Sequence, residues 1–108
     1  MNDRTLLELA ARAAGYQFSY SYRSLSSPAV PVILAETGRW RQWDPRHDDG
    51  DALRLAVDAG ILDGNAFSVW LNYRNGAMAI EGLDAREATR LAFVRVAAEI
   101  GKSMGGGE

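Results

Sequence analysis

The chain has 108 residues, 47% hydrophobic and 24% charged, with a formal net charge of -2 and no cysteine. That length suits one domain around one core, and the composition excludes low-complexity disorder for the bulk of the chain. The charge excludes a general basic nucleic-acid footprint, though not a local patch. The missing cysteine removes disulfides, cysteine-ligated zinc and iron–sulfur clusters.

Glu8 and Arg12 interrupt the apolar residues of the first segment, so it does not read as a signal peptide. No apolar run approaches the roughly 20 residues of a membrane span. The expectation is a cytoplasmic protein. Residues 4–14 predict a helix capped by Asn2 or Asp3 and ended by a left-handed Gly15. Its apolar face is Leu6, Leu9, Ala10 and Ala13. Tyr16, Phe18, Tyr20 and Tyr22 then alternate with polar residues, the period of a strand with one aromatic face. Residues 24–28 read as a turn, and Val30 to Ala35 as a second strand. Pro31 argues for a start at a sheet edge or outside the ladder.

Residues 37–47 form a polar, aromatic loop. A second helix is predicted from Asp49 or Gly50 to Ala59, with Asp48 or Asp49 as cap and Gly60 as stop. Ala52, Leu53, Ala56 and Val57 make its apolar face. After a turn at Asp63-Gly64, residues 66–73 and 77–81 flank Asn75-Gly76 and predict a β-hairpin. Its register gathers Phe67, Val69, Leu71, Tyr73, Met78 and Ile80 on one face. Trp70 falls on the other face, covered by a helix or exposed. A last helix runs from about Ala85 to Ser103 behind an Asp84 cap, with Thr89, Phe93, Val96 and Ile100 inward and Arg86 and Arg90 pointing away. The expected class is α+β in the order αββαββα: three helices and an antiparallel sheet of about four strands. One domain over residues 1–104 and a frayed tail at 105–108 are expected.

Charge is segregated along this plan. Residues 1–43 carry +2, residues 44–63 carry -4, and residues 64–108 balance. A basic aromatic segment, Arg39, Trp40, Arg41, Trp43 and Arg46, therefore runs into an acidic helix start.

Trp43-Asp44-Pro45, the string from Asp48 to Ala56, Ala88-Thr89-Arg90 and Ala97 to Gly101 together resemble the phage ABA sandwich domain. Where that family has Asn-Pro and an apolar residue after the tryptophan, this chain has Asp44-Pro45 and then Arg46-His47. The resemblance implies an α/β/α layered fold, a phage or prophage gene acting in the cytoplasm of a bacterial host, and no particular activity.

Three functional classes are distinguished on the residues. Asp44, His47, Asp48, Asp49 and Asp51 suit a divalent cation by chemistry, and His47 could serve a metal-dependent hydrolase as general base. Their spacing is not that of an EF-hand, and helix capping plus the helix dipole explain Asp48, Asp49 and Asp51 without a metal. No nucleophile elbow, P-loop or dinucleotide fingerprint is visible. No catalytic residues and no cofactor are assigned. Arg39, Trp40, Arg41, Trp43, Arg46 and His47 are the candidate contact surface, for a host or phage protein or, as the less favoured alternative, for nucleic acid. Trp43 also reads as a core residue beside the second helix. An exposed Trp40 or Trp70 would leave homodimerisation open as a further alternative. The preferred reading is a small accessory module that binds rather than catalyses.

Overall fold

The computed structural model describes residues 3–21 and 29–105. The cap at Asn2, Tyr22, the turn at 24–28 and the tail from 106 lie outside them. The elements are α1 (Asp3–Ala14), β1 (Phe18–Ser21), β2 (Val30–Leu34), β3 (Trp40–Gln42), α2 (Asp49–Asp58), α3 (Gly64–Ala79) and α4 (Ala85–Met104). The class is α+β as expected. The four-stranded αββαββα order is corrected to four helices and one antiparallel sheet of three strands, in the order β1-β2-β3.

The sheet places Phe18 opposite Ile33 and Tyr20 opposite Pro31, with Ile33 opposite Arg41 on the other side. Cross-strand partners share a face, so Phe18, Tyr20, Ile33 and Arg41 lie together. The core cluster takes Ile33, Phe18, Tyr16 and Trp43 from that side and joins them to α1, α2 and α4. Val32, buried on the opposite face, stands outside the cluster. The core therefore forms on one face of the sheet. Pro31, expected at an edge, sits inside the central strand. Its carbonyl accepts from the Trp43 amide at 3.0 Å, so its missing N–H faces the side where β3 has already ended at Gln42. The register places Trp43 opposite Pro31, so the reciprocal bond that another residue's N–H would donate to the Trp43 carbonyl is missing, and the ladder stops there.

Gly15 ends α1 with φ +79° and Gly60 follows α2 with φ +72°, the left-handed stops that the sequence requires. Asp48 and Asp84 cap α2 and α4 by accepting from the amides of Asp51 and Glu87, each at 2.8 Å. Two apolar faces are corrected. α1 buries Leu7, Ala10 and Ala11; of the expected face Ala10 is fully buried, Leu6 and Ala13 pack half-buried against the core, and Leu9 is half-buried. α2 buries Ala52, Leu55 and Ala56, while Leu53 and Val57 stay 55% and 59% exposed. The reason in both cases is where α4 lies. That 20-residue helix buries Ala88, Leu91, Ala92, Phe93, Val94, Val96, Ala97, Ala98 and Gly101, more than one stripe, because α1, α2 and α3 all pack against it. Its closest approach is to α1: a Cβ on Gly101 would stand 1.9 Å from the Leu9 carbonyl oxygen.

The predicted hairpin is a single helix. Residues 66–79 continue α-helically through Asn75-Gly76. Alternation was a true feature of this segment, but Trp70 and Ala77 fill the intervening positions, so apolar side chains recur at helical spacing too. Periodicity cannot separate the two states in such a run. Packing decides: Trp70 stacks on Phe93 with ring centroids 5.0 Å apart and planes 14° apart, and Ala77 is buried.

Two substitutions report on this arrangement. Gly101→Ala should destabilise the fold by about 2 kcal/mol or more, because backbone rather than a movable side chain blocks the new methyl. Asn75→Ala should stabilise it by about 0.5 kcal/mol, since alanine is the better helix former; in a hairpin turn the same change would destabilise. Urea denaturation of both variants reads the two signs.

Candidate functional site

The segment from Trp40 to Arg54 is organised by one buried carboxylate. Asp51, in the first turn of α2, is 5% exposed. Its Oδ1 accepts from Arg41 Nη1 at 3.0 Å and Arg54 Nη2 at 2.9 Å, and its Oδ2 accepts from the Asp44 amide at 2.9 Å. One side chain thus ties β3, the loop and α2 together. Burial pushes the Asp51 carboxyl up, but the Asp44 amide and the guanidiniums of Arg54 and Arg41 more than offset it and hold it below the ordinary carboxylate value. The loop closes on itself above this point. The Asp44 carboxylate faces His47 Nδ1 at 3.0 Å, and the Asp44 carbonyl accepts from the Asp48 amide at 2.8 Å.

A second carboxylate ties α2 to α4. Asp49 accepts from Arg86 Nε at 2.6 Å and from Arg90 Nη1 at 2.7 Å. Those hydrogen bonds, Arg86 first and then Arg90, hold its carboxyl below the ordinary value. Arg90 Nε also donates to the Arg46 carbonyl at 2.8 Å. Arg86 and Arg90, expected to point away into solvent, instead clamp the acidic start of α2. This is where the segregated charge of the sequence goes: acidic residues of α2 meet arginines from β3, α2 and α4.

The candidate metal ligands do not converge. Asp48 caps α2, Asp49 binds Arg86 and Arg90, Asp51 binds Arg41 and Arg54, and His47 pairs with Asp44. No group of three His, Cys, Asp or Glu among the described residues could hold a metal ion. The candidate contact surface also divides. Trp43 is 1% exposed and packs edge-on against Tyr16 and Phe18, both at 5.8 Å between centroids. Its Nε1 has no hydrogen-bond partner among the described residues. Arg41 is half-buried on Asp51, and Arg46 is half-buried with its carbonyl held by Arg90. Arg39, Trp40 and His47 remain exposed. The segment is thus chiefly a latch between sheet and helices.

The larger exposed feature lies on α3. Phe67, Val69, Leu71, Tyr73, Met78 and Ile80, the side chains that a hairpin would have gathered on one face, are 36–85% exposed on and just after this helix. α3 packs on α4, held by Trp70 Nε1 to the Thr89 carbonyl at 3.4 Å and by Arg74 Nε to Thr89 Oγ1 at 3.0 Å. Thr89, read in sequence as an inward apolar-face position, is therefore the polar tether of α3. The one sequence signal for an exposed α3 surface was the lack of charge: residues 64–79 contain a single charged side chain, Arg74. On one flank of α3 a groove of about 580 Å³ is lined by Leu6, Tyr73, Gly76, Ala77, Ile80 and Leu91, with Arg46, Glu81, Arg95 and Glu99 among its charged residues.

Asp51→Asn should cost about 2 kcal/mol at neutral pH, the scale of hydrogen bonds to charged partners. Because the folded-state value is depressed, this stabilisation is full above the unfolded-state value of about 3.9 and is lost as pH falls through the folded-state value. The gap between wild type and Asp51→Asn in urea unfolding should therefore shrink from pH 7 to pH 3. The chain matches no protein-family model, no curated protein and no solved structure.

Proposed function

We propose that this protein is a non-catalytic interaction module whose contact surface is α3. One observation carries the proposal: a 16-residue helix with a single charged side chain leaves six large apolar side chains on and beside it in solvent. Helical spacing sets them in two strips on opposite flanks, Phe67, Leu71 and Met78 on one and Val69, Tyr73 and Ile80 on the other. Taking roughly 150–200 Å² for each side chain when fully exposed, each strip leaves on the order of 200–300 Å² of apolar surface, the lower end of the range for a monomer's largest patch. Phe, Tyr and Met are also residue types enriched in protein interfaces. Leu53 and Val57 of α2 add exposed apolar area.

The latch residues support neither the metal-hydrolase nor the nucleic-acid reading. The carboxylates are spent on arginines and amides, and Arg41 is spent on Asp51. The resemblance to the phage ABA sandwich domain over residues 43–61 and 84–102 supports a phage or prophage origin and a role in the bacterial cytoplasm.

A photo-crosslinking amino acid at Leu71 or Ile80, with Lys102 as the control position, tests the surface in bacterial cells. Protein adducts are expected from 71 and 80 and not from 102. Absence of any adduct from both test positions would overturn the assignment.

A further inference from the structure

We infer that α3 pairs with the α3 of a second copy of this chain, antiparallel, along the stripe Val69, Tyr73, Gly76 and Ile80. The inference rests on the reading of α3 as a contact surface and names its occupant. These four residues fall at i, i+4, i+7 and i+11, the spacing that lets two helices pack along a continuous seam. Val69, Tyr73 and Ile80 are 41%, 36% and 85% exposed.

The seam complements itself. When the helix is reversed about a two-fold axis between Arg74 and Asn75, Val69 faces the partner's Ile80 and Tyr73 faces the partner's Gly76. Each large aromatic ring then meets a residue without a side chain. A Cβ built on Gly76 meets nothing within 4 Å, so the space above it is open to the partner. The contact is isologous, as a two-fold dimer requires.

Charge points to the same occupant. The seam contains no group that is charged at neutral pH. Arg74, the one charge on α3, is turned to Thr89 and Asn75 of its own chain. The adjoining groove carries Arg46 and Arg95 against Glu81 and Glu99, a balanced set, in which Arg95 holds Glu81 through bonds of 2.6 and 2.9 Å. A second copy presents the same balanced set and meets no net repulsion, whereas a strongly charged partner finds no complement here. Area fits a weak dimer. Two helices of this length and the walls of the groove bury on the order of 1,000 Å² in total, the lower bound for a specific interface.

Because the chain has no cysteine, single-cysteine variants test the geometry directly. In the antiparallel pair, Val69 and the partner's Val69 are separated by about 16 Å along the axis, beyond the ~7 Å limit for a disulfide. Mixed Val69→Cys and Ile80→Cys chains should therefore oxidise to a cross-linked dimer, and Val69→Cys alone should not. Wild type should sediment as a concentration-dependent dimer. Ile80→Asp should be monomeric with an unchanged far-UV circular dichroism spectrum. Self-cross-linking of Val69→Cys in preference to the mixed pair, or a wild-type monomer at several hundred micromolar, would overturn the inference. A wild-type monomer whose position 80 still forms photo-adducts with another protein refutes the second copy and leaves α3 a contact surface; no adduct at 71 or 80 refutes both.

Discussion

The close approach of two backbones at Gly101 sets the arrangement of the rest. The Leu9 carbonyl occupies the place where a side chain on residue 101 would begin. α1 and α4 come this near because the facing positions are small: Ala10 and Ala11 on one helix, Ala97, Ala98 and Gly101 on the other are all buried. With α1 seated there, α4 still has faces for α2 and α3, and it becomes the helix against which each of the others packs. A helix so covered needs apolar residues on nearly every side, which explains why its burial is not one stripe.

The sheet is attached to this helical group by polar chemistry as well as by the core residues Phe18, Ile33 and Trp43. β3 is three residues long and its Trp40 faces solvent. What holds its end in place is the Asp51 carboxylate, which collects Arg41, Arg54 and the Asp44 amide, together with Trp43 inserted between Tyr16 and Phe18. A buried carboxylate with its oxygens this fully engaged is stabilised, whereas the same group with a partner removed would carry the desolvation penalty alone. Tyr16 adds a further link from the start of the sheet to α2 through Asp58. Burial, and then that bond, raise its phenol above its ordinary value.

α3 is held differently. Its anchors are Trp70 on Phe93, Ala77 against α4 and the two bonds to Thr89. The inward stripe is narrow, and apolar side chains continue on both flanks of it. A helix covered on one side but apolar over a wider arc is the local conflict that marks functional surfaces, where consistency between pattern and burial breaks down. The exposed Leu53 and Val57 of α2 show the same conflict on a smaller scale.

The sequence alone determined the features that depend on neighbouring residues. The extents of α1, α2 and α4, their Asp48 and Asp84 caps and glycine stops, and the aromatic face leading into β1 all follow from local hydrogen bonding and steric rules. The caps also accounted for acidic residues that resembled metal ligands. Tertiary structure decided what local rules leave degenerate. It chose helix over hairpin for residues 64–79, because a segment apolar at both spacings is settled by what it packs against, here Phe93 and Thr89. It paired Arg86 and Arg90 with Asp49 across about 40 positions, a contact with no periodic signal. It also turned the apolar side chains of α3 outward, since only the position of α4 defines which side of that helix is inside.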